Sequence, residues 1–324
     1  MNDVASQALP FEQVDTRRLR AGEIDDARLQ AQLRRAASGK AFLALEHVFD
    51  PSLRRALTDC RRGFFELPDD DPRKQAICVT GRRVKHGWMP LYGEPSYQPG
   101  TVAHVESFDC GRARRGSDDP DHTSIWPDLP GFQPVVRQAW DALSGCGFAL
   151  LEALALTAGI ERRYFADRCG SQDLSTMRLL HYPGVPAATR APAHGRDVGI
   201  AAHTDFECIT LLCQSSAGLE LRGADGRWYD APAAEDCAVV LFGDMLERWT
   251  NGTYRATGHR VRLTSEPRFS TVLFFAVDDD VSVAPLAPFQ HAGNPPRYAP
   301  VTQRQHSHQA LARAERYRDE AVRA

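Results

Sequence analysis

The hydrophobic positions of this chain change their spacing about halfway along it. Asp50 and Pro51 form an N-cap and first-turn pair of the kind that starts many helices. Gly145 and Gly147 lie inside the longest apolar stretch, residues 134–158, and are expected to interrupt the helix predicted for that stretch. Apolar residues recur at helical intervals over 25–37, 50–65 and 134–158. The first half is therefore predicted to be largely helical.

From residue 176 onward the apolar residues fall into short runs separated by turn-forming residues. Ala224-Asp-Gly-Arg227 lies between two runs and is typical of a hairpin turn. Short strands at this spacing predict a double-stranded β-helix, or jelly roll, with N-terminal and flanking helices packed outside it, an α+β protein with a mainly β core. The predicted strands cover 177–182, 201–214, 219–222, 237–242, 255–263 and 269–277.

We expect one continuous fold made of three segments. Residues 1–175 should form an N-terminal helical and mixed supporting region, and 176–280 the jelly-roll core. Residues 281–324 should form a C-terminal extension that packs on the same domain, with a helical tail over the barrel mouth or in solvent. A chain of 324 residues with 43% hydrophobic residues can bury a substantial core.

Charge and composition argue against some partners. A net charge of −3 does not favour nucleic acid, and no segment is expected to have the ~20 apolar residues of a membrane helix. The N-terminus has no apolar run typical of a signal peptide, so a cytoplasmic protein with reduced cysteines is expected. The oligomeric state stays open.

The chemistry-bearing residues lie in the predicted strands. His203 and Asp205 form a His-x-Asp pair, and residues i and i+2 of a strand point to the same face. His259, in a second predicted strand, supplies a further imidazole. Two histidines and one carboxylate on one face of an ion are typical of non-haem Fe(II) centres that activate oxygen. The sequence therefore predicts a metal site at these three residues.

A candidate anion site follows nine residues beyond His259. Arg268 and Ser270 share one face of the last predicted strand of the core. A guanidinium pairs with a carboxylate through two hydrogen bonds, and a serine hydroxyl can add a third. We therefore expect an anion clamp that faces the metal.

With these residues in place, the chain resembles the isopenicillin N synthase-like Fe(II)/2-oxoglutarate-dependent oxygenases. The family pattern of His-x-Asp, distal His and Arg-x-Ser is matched by the residues just named. Met177-Arg-Leu-Leu-His-Tyr-Pro183 resembles the family strand that ends in Tyr-Pro, so the resemblance assigns Tyr182 to the cosubstrate carboxylate. Weaker matches extend over roughly residues 9–310.

The resemblance implies Fe(II) as cofactor, with 2-oxoglutarate and O2 as cosubstrates. A small organic molecule would be hydroxylated, desaturated or cyclised while 2-oxoglutarate is converted to succinate and CO2. Substrate contacts are assigned to Trp88, Tyr92, His104 and Phe206, which fall in regions that often line the pocket of similar enzymes. His181, His194 and His291 fall outside the metal pattern and are expected to have structural or surface roles.

Two other functions fit the same residues. An iron-dependent oxidase of isopenicillin N synthase type would use the Arg-x-Ser pair for the carboxylate of its own substrate, without 2-oxoglutarate. A non-catalytic barrel could bind a ligand or a partner, although such a protein has no physical need for three metal ligands in register.

Overall fold

Two mainly antiparallel sheets face each other across a layer of apolar side chains, and helices cover the outer side of the larger sheet. The structure, a computed structural model, describes residues 11–37, 42–112, 123–185 and 197–323. The predicted architecture of a mainly β core with flanking helices is confirmed.

The helices of the described part follow the apolar periodicity of the sequence. Helix α3 (Pro51–Phe65) begins where expected, because the Asp50 carboxylate accepts hydrogen bonds from the backbone N–H groups of Ser52 and Leu53. The helices are α1 (Thr16–Arg20), α2 (Ala27–Arg35), α3 (Pro51–Phe65), α4 (Pro72–Gln75), α5 (Phe132–Thr157), α6 (Tyr164–Asp167), α7 (Asp244–Trp249) and α8 (Gln303–Arg323), with a 3₁₀ helix at Ala287–Phe289.

The strands of the described part are β1 (Gln13–Asp15), β2 (Phe42–Glu46), β3 (Trp88–Met89), β4 (Val102–Ala103), β5 (Glu106–Gly111), β6 (Thr176–Tyr182), β7 (Asp197–Val198), β8 (Ile200–His203), β9 (Ile209–Gln214), β10 (Leu219–Arg222), β11 (Trp228–Asp230), β12 (Cys237–Phe242), β13 (His259–Val261), β14 (Arg268–Phe275), β15 (Ser282–Val283) and β16 (Val301–Thr302). The larger sheet has eight strands in the order β1-β2-β12-β9-β14-β6-β5-β3, and the smaller has the order β11-β10-β13-β8. Strands β4 and β7 form one further pair, and β15 and β16 another.

The predicted strand over 201–214 is in fact two strands in different sheets. Strand β8 pairs with β13 in the smaller sheet, whereas β9 pairs with β12 and β14 in the larger one. The chain crosses between the sheets at 204–208, a segment that the apolar pattern alone does not separate from its flanking strands. The hairpin predicted at 224–227 joins β10 to β11.

Helix α5 runs through both glycines, so the predicted interruption is wrong. At Gly147 a Cβ atom would lie 2.6 Å from the ring of Phe275, so this glycine allows α5 to lie close against β14. The helix is also long and apolar enough to cross a membrane, contrary to our expectation for the chain. Most of its apolar stretch is buried inside the fold. The apolar composition is therefore that of a helix packed in the protein core.

Candidate active site

The predicted metal ligands meet at the edge of the smaller sheet. His203 ends β8 and His259 begins β13, and these two residues are directly opposite in the antiparallel pairing. Asp205 lies two residues beyond the end of β8, not on the strand itself as the sequence suggested. Its backbone carbonyl accepts a hydrogen bond from the N–H of Asp244 at the start of α7. Three elements therefore fix the positions of these side chains.

The side chains point at one another. Oδ1 of Asp205 lies 3.6 Å from Nε2 of His203 and 3.5 Å from Nε2 of His259. The potential ligand atoms of all three residues lie within 4.8 Å of one another. One divalent ion can bridge this spacing after small side-chain adjustments, since its bonds to nitrogen and oxygen are about 2 Å long.

Hydrogen bonds set which nitrogen of each imidazole faces the centre. Nδ1 of His203 lies 2.8 Å from the carbonyl oxygen of Ala201, and Nδ1 of His259 lies 3.0 Å from that of Thr257. A carbonyl only accepts, so each Nδ1 carries the hydrogen and each Nε2 keeps its lone pair. Metal-binding histidines are typically oriented in this way.

The electrostatics of the triad also fit a cation. Burial, followed by the nearby imidazole of His259, lowers the pKa of His203 well below its ordinary value. The ring therefore stays neutral, which metal binding requires. Oδ2 of Asp205 is buried and has no hydrogen-bond partner among the described residues. A buried carboxylate oxygen without a partner is costly, and a metal ion would satisfy it.

The predicted anion clamp lies on the inner face of the larger sheet. Arg268 and Ser270 are two residues apart on β14, and both are fully buried. Tyr182 on β6 is directly opposite Arg268, with the guanidinium 4.6 Å above its ring. Burial raises the pKa of Tyr182, so its hydroxyl keeps its proton.

The clamp holds donors that no described residue satisfies. Nη2 of Arg268 donates to Oε1 of Gln214 at 2.6 Å, but its Nε and Nη1 and the hydroxyl of Ser270 have no partner. The amide of Gln214 is held in turn by the carbonyl oxygen of Pro232 at 2.8 Å. Burial lowers the pKa of Arg268, yet arginine stays charged in proteins. A carboxylate would satisfy all three donors at once.

A cavity of about 610 Å³ extends outward from the metal triad, and Tyr182, the cross-strand neighbour of Arg268, lines it. Alternate residues of the larger sheet face it, in rows that follow the strand register. Arg178 is opposite Val272, and Phe274 lies beside Thr210, at the end of the cavity away from the clamp. The volume suits a small organic molecule.

Helix α8 covers part of the cavity, which decides the position of the tail. Its residues Ser307, His308 and Leu311 line the cavity. The helix is anchored by Gln303, whose amide donates to the carbonyl oxygen of Phe206 at 2.9 Å. Nε2 of His306 lies 2.7 Å from the carboxylate of Asp244. The tail therefore packs over the barrel mouth.

Known proteins that are related to this chain in sequence are described as oxygenases. A family model described as the 2OG-Fe(II) oxygenase superfamily matches residues 174–277. The 2-oxoglutarate-dependent dioxygenase ecdK of Aspergillus rugulosus is 32% identical over 314 residues, which cover 84% of this chain and 92% of that protein. This chain belongs to the 2OG-Fe(II) oxygenase superfamily. The resemblance found in its sequence motifs is thereby confirmed.

Further relatives align with most of the length of this oxygenase. A homoarginine-6-hydroxylase of Glycine max is 30% identical, with 79% of each chain covered. The crystal structure of a full-length Neurospora crassa protein in complex with alpha-KG superposes with a TM-score of 0.79 at 25% identity, covering 97% of this chain and 98% of that one. The predicted dependence on Fe(II) and 2-oxoglutarate, and the assignment to small-molecule oxygenases, are confirmed at the level of the family.

The structure places three of the four predicted substrate contacts of the oxygenase outside the lining of the cavity beside the metal triad. Trp88 is 1% exposed and packs in the core beneath the helices, with Nε1 donating to the carboxylate of Glu106 at 2.8 Å. Tyr92 and His104 contact each other, with the Tyr92 hydroxyl 3.0 Å from Nδ1 of His104, and neither lines the cavity. Phe206 does line it. An aromatic loop near the site was too weak a signal to separate pocket residues from packing residues.

The remaining histidines have the expected surroundings where the structure describes them. His181 lies on the helix-covered side of the larger sheet, 2.7 Å from the Glu106 carboxylate and stacked on Phe269. His291 is exposed in a loop. His194 lies outside the described residues.

Sequence reasoning missed two residues beside the metal triad. The ring of Tyr97 is stacked on that of His203, with centroids 4.1 Å apart and planes at 9°. Glu207 lines the cavity, and burial together with the Asp205 carboxylate raises its pKa to about 8. Tyr97 comes from a loop far away in the sequence, so no local pattern marks it. Glu207 was within reach of sequence analysis, because it lies two residues after Asp205.

Proposed function

We propose that this oxygenase hydroxylates a small organic molecule. The reaction would be R–H + 2-oxoglutarate + O2 → R–OH + succinate + CO2, with one oxygen atom in the alcohol and the other in succinate. The relative named homoarginine-6-hydroxylase supports hydroxylation over desaturation or cyclisation. The cavity volume supports a small molecule.

In this proposal His203, Asp205 and His259 hold Fe(II), which when bound supplies the redox chemistry with O2. The two imidazoles present neutral Nε2 atoms, and Asp205 offers a carboxylate oxygen that has no other partner. Tyr97 covers one side of the His203 ring and helps to hold it in place. These contacts fix the ligands before the ion binds.

The unsatisfied donors of the clamp are the observation that carries the cosubstrate assignment. Arg268 and Ser270 would receive the distal carboxylate of 2-oxoglutarate, and Tyr182 would donate a further hydrogen bond. An unpaired guanidinium at 0% exposure is strongly unfavourable in the absence of an anion. No residue in the described part of the chain supplies that anion.

The proposed function is tested by adding 2-oxoglutarate to the Fe(II) protein without oxygen and recording the visible charge-transfer absorption of the chelated metal. We expect the band in the wild type. In Arg268→Ala, iron should still bind while the Kd for 2-oxoglutarate rises about 10- to 100-fold, since hydrogen bonds to charged groups contribute about 1.5–3 kcal/mol. Arg227→Ala, which removes an exposed arginine, is the matched control.

The other outcomes separate the alternatives. Iron binding without a band would favour the oxidase that does not use 2-oxoglutarate. Failure of the wild type to bind iron would favour a non-catalytic barrel. Equal affinity for 2-oxoglutarate in Arg268→Ala and wild type would remove Arg268 from the clamp.

A further inference from the structure

The cavity is lined by two polar groups, on Glu207 and Thr210, that the reaction proposed above does not use. Glu207 is half-buried, and its carboxylate has a hydrogen bond from its own backbone N–H but no hydrogen bond or ion pair to another side chain in the part of the chain that the structure describes. The hydroxyl of Thr210, on β9, is fully buried and has no partner among the described residues. Both residues line the cavity, three positions apart in the sequence. A buried hydroxyl normally has a hydrogen-bond partner, so a ligand is expected beside Thr210.

The charge around these groups favours a cation. Arg178 lines the same wall, but its guanidinium is already paired with Asp109 at 2.7 Å and with Glu94 at 2.9 Å. Two carboxylates therefore face one guanidinium, an excess of one negative charge, and Glu207 adds a carboxyl group that a bound cation would hold in its ionised form. A ligand with a positive nitrogen would offset this charge in a region of low dielectric, where the interaction is strong.

The outer part of the cavity has the opposite charge. Arg82, Arg83 and Lys85 line the cavity and are exposed, as is Glu315 of α8, so the charges on its exposed lining are net positive. An acidic inner end and a basic mouth complement a molecule that is positive at one end and negative at the other. Such a molecule would enter with its cation first.

Aromatic side chains line the cavity as well. Tyr97 and Phe206 are in edge-to-face contact, with ring centroids 6.2 Å apart, next to the metal triad. Phe274 lies beside Thr210 on the neighbouring strand. A carbon chain held against these rings would pass close to the metal, so the reacting C–H would belong to the part of the molecule between its charges.

We propose that the substrate is a small zwitterion, with its cationic nitrogen bound by Glu207 and Thr210 and its anionic group at the mouth near Arg82 and Arg83. This inference rests on the proposed function and names the substrate class of the same site. Glu207 would be a specificity-determining residue. A neutral molecule of the same shape would leave the carboxylate unpaired and bind more weakly.

The test is isothermal titration calorimetry of the anaerobic protein loaded with Fe(II) and 2-oxoglutarate. The probes are ω-amino acids of three to eight carbons, L-lysine and L-arginine, each beside a carboxylic acid and an amine of matched chain length. We expect the tightest binding from a zwitterion, and about 10- to 100-fold weaker binding from its matched acid. The best zwitterion should also raise succinate formation in air and gain one oxygen atom by mass spectrometry.

Two variants locate the cation. Glu207→Gln and Thr210→Val should each weaken binding of that zwitterion, by about 10- to 100-fold and about 3- to 10-fold respectively. Glu66→Gln, an exposed carboxylate outside the cavity, should bind it like the wild type. The absorption band of bound 2-oxoglutarate is recorded first for each variant, which shows that the metal and cosubstrate sites are assembled.

Three results would overturn this inference. They are an acid that binds as tightly as its zwitterion, an unchanged Kd in Glu207→Gln with the band present, and no binding by any cation-bearing probe. In each case the charge-transfer band of the wild type with 2-oxoglutarate would still support the proposed function. Loss of that band in the wild type would instead mean that the proposed function itself is wrong.

Discussion

At the scale of single residues, the position of Arg268 depends on Gly218 at the start of β10. Gly218 has a φ of +141°, and a Cβ atom there would lie 3.1 Å from Cδ of Arg268. We predict that Gly218→Ala lowers the free energy of unfolding by about 1–3 kcal/mol through backbone strain. The added methyl group should also displace the Arg268 side chain and raise the Kd for 2-oxoglutarate by about tenfold. A tenfold change in Kd corresponds to a loss of about 1.4 kcal/mol of binding free energy. Thermal unfolding and anaerobic calorimetry measure the two effects.

Gly226 provides the matched control for this prediction. Its φ is +80°, and the nearest atom to an added Cβ is Nη2 of Arg222 at 3.9 Å. Gly226→Ala should therefore lose stability and keep its affinity for 2-oxoglutarate. Equal cosubstrate affinity in both variants would show that Gly218 does not position the guanidinium.

At the scale of elements, the two glycines of α5 have opposite roles. Gly145 is exposed and nothing lies within 4 Å of an added Cβ, whereas at Gly147 that atom would lie 2.6 Å from the Phe275 ring. We predict that Gly145→Ala stabilises the protein by up to about 1 kcal/mol, because alanine has the higher helix propensity. Gly147→Ala should destabilise it by about 1–3 kcal/mol through overpacking. Chemical denaturation of both variants measures this difference, and a gain in both would mean that α5 and β14 separate readily.

Helix α8 offers a second prediction at this scale. Gln303 is 1% exposed, and its side chain bonds both to the carbonyl oxygen of Phe206 and to the N–H of Val277. Gln303→Ala should lower the free energy of unfolding by about 1–3 kcal/mol, because one buried and one part-buried backbone group lose their partner. Amide exchange in α8 should become faster. Gln309→Ala, an exposed position on the same helix, should change neither quantity. Unaltered exchange in Gln303→Ala would show that other contacts hold the helix.

The sequence could predict those features of the elements that are visible within a short stretch of residues. The spacing of His203, Asp205, Arg268 and Ser270 is local, so the triad and clamp could be placed in advance, as could α3 from its N-cap. The crossing at 204–208 could not, because both flanking strands are apolar and only pairing partners distinguish their sheets. Tyr97 was missed for the same reason. Its position beside His203 depends on tertiary packing, which no local window contains.

At the scale of the whole molecule, the larger sheet is assembled from both halves of the chain. Strand β12 pairs with β2 along five residues, from Cys237 opposite Glu46 to Leu241 opposite Phe42. Strand β6 pairs with β5 along six, and helices α1, α2 and α3 pack on α5. The first 175 residues thus supply strands and core side chains to the sheet that bears the clamp.

This shared sheet leads to a prediction about truncation. A fragment of residues 176–324 keeps every proposed metal and clamp residue but loses β2, β5 and α5, so β6 and β12 would become exposed edges and the buried apolar face of the sheet would contact water. We expect the fragment to lack cooperative thermal unfolding and to bind neither Fe(II) nor 2-oxoglutarate. The full chain should unfold in one transition, at a temperature raised by both ligands because they bind only the folded state. Circular dichroism and calorimetry compare the two. A fragment that unfolds cooperatively and binds metal would show that the jelly roll folds without the first half, and that the strands from that half only extend it.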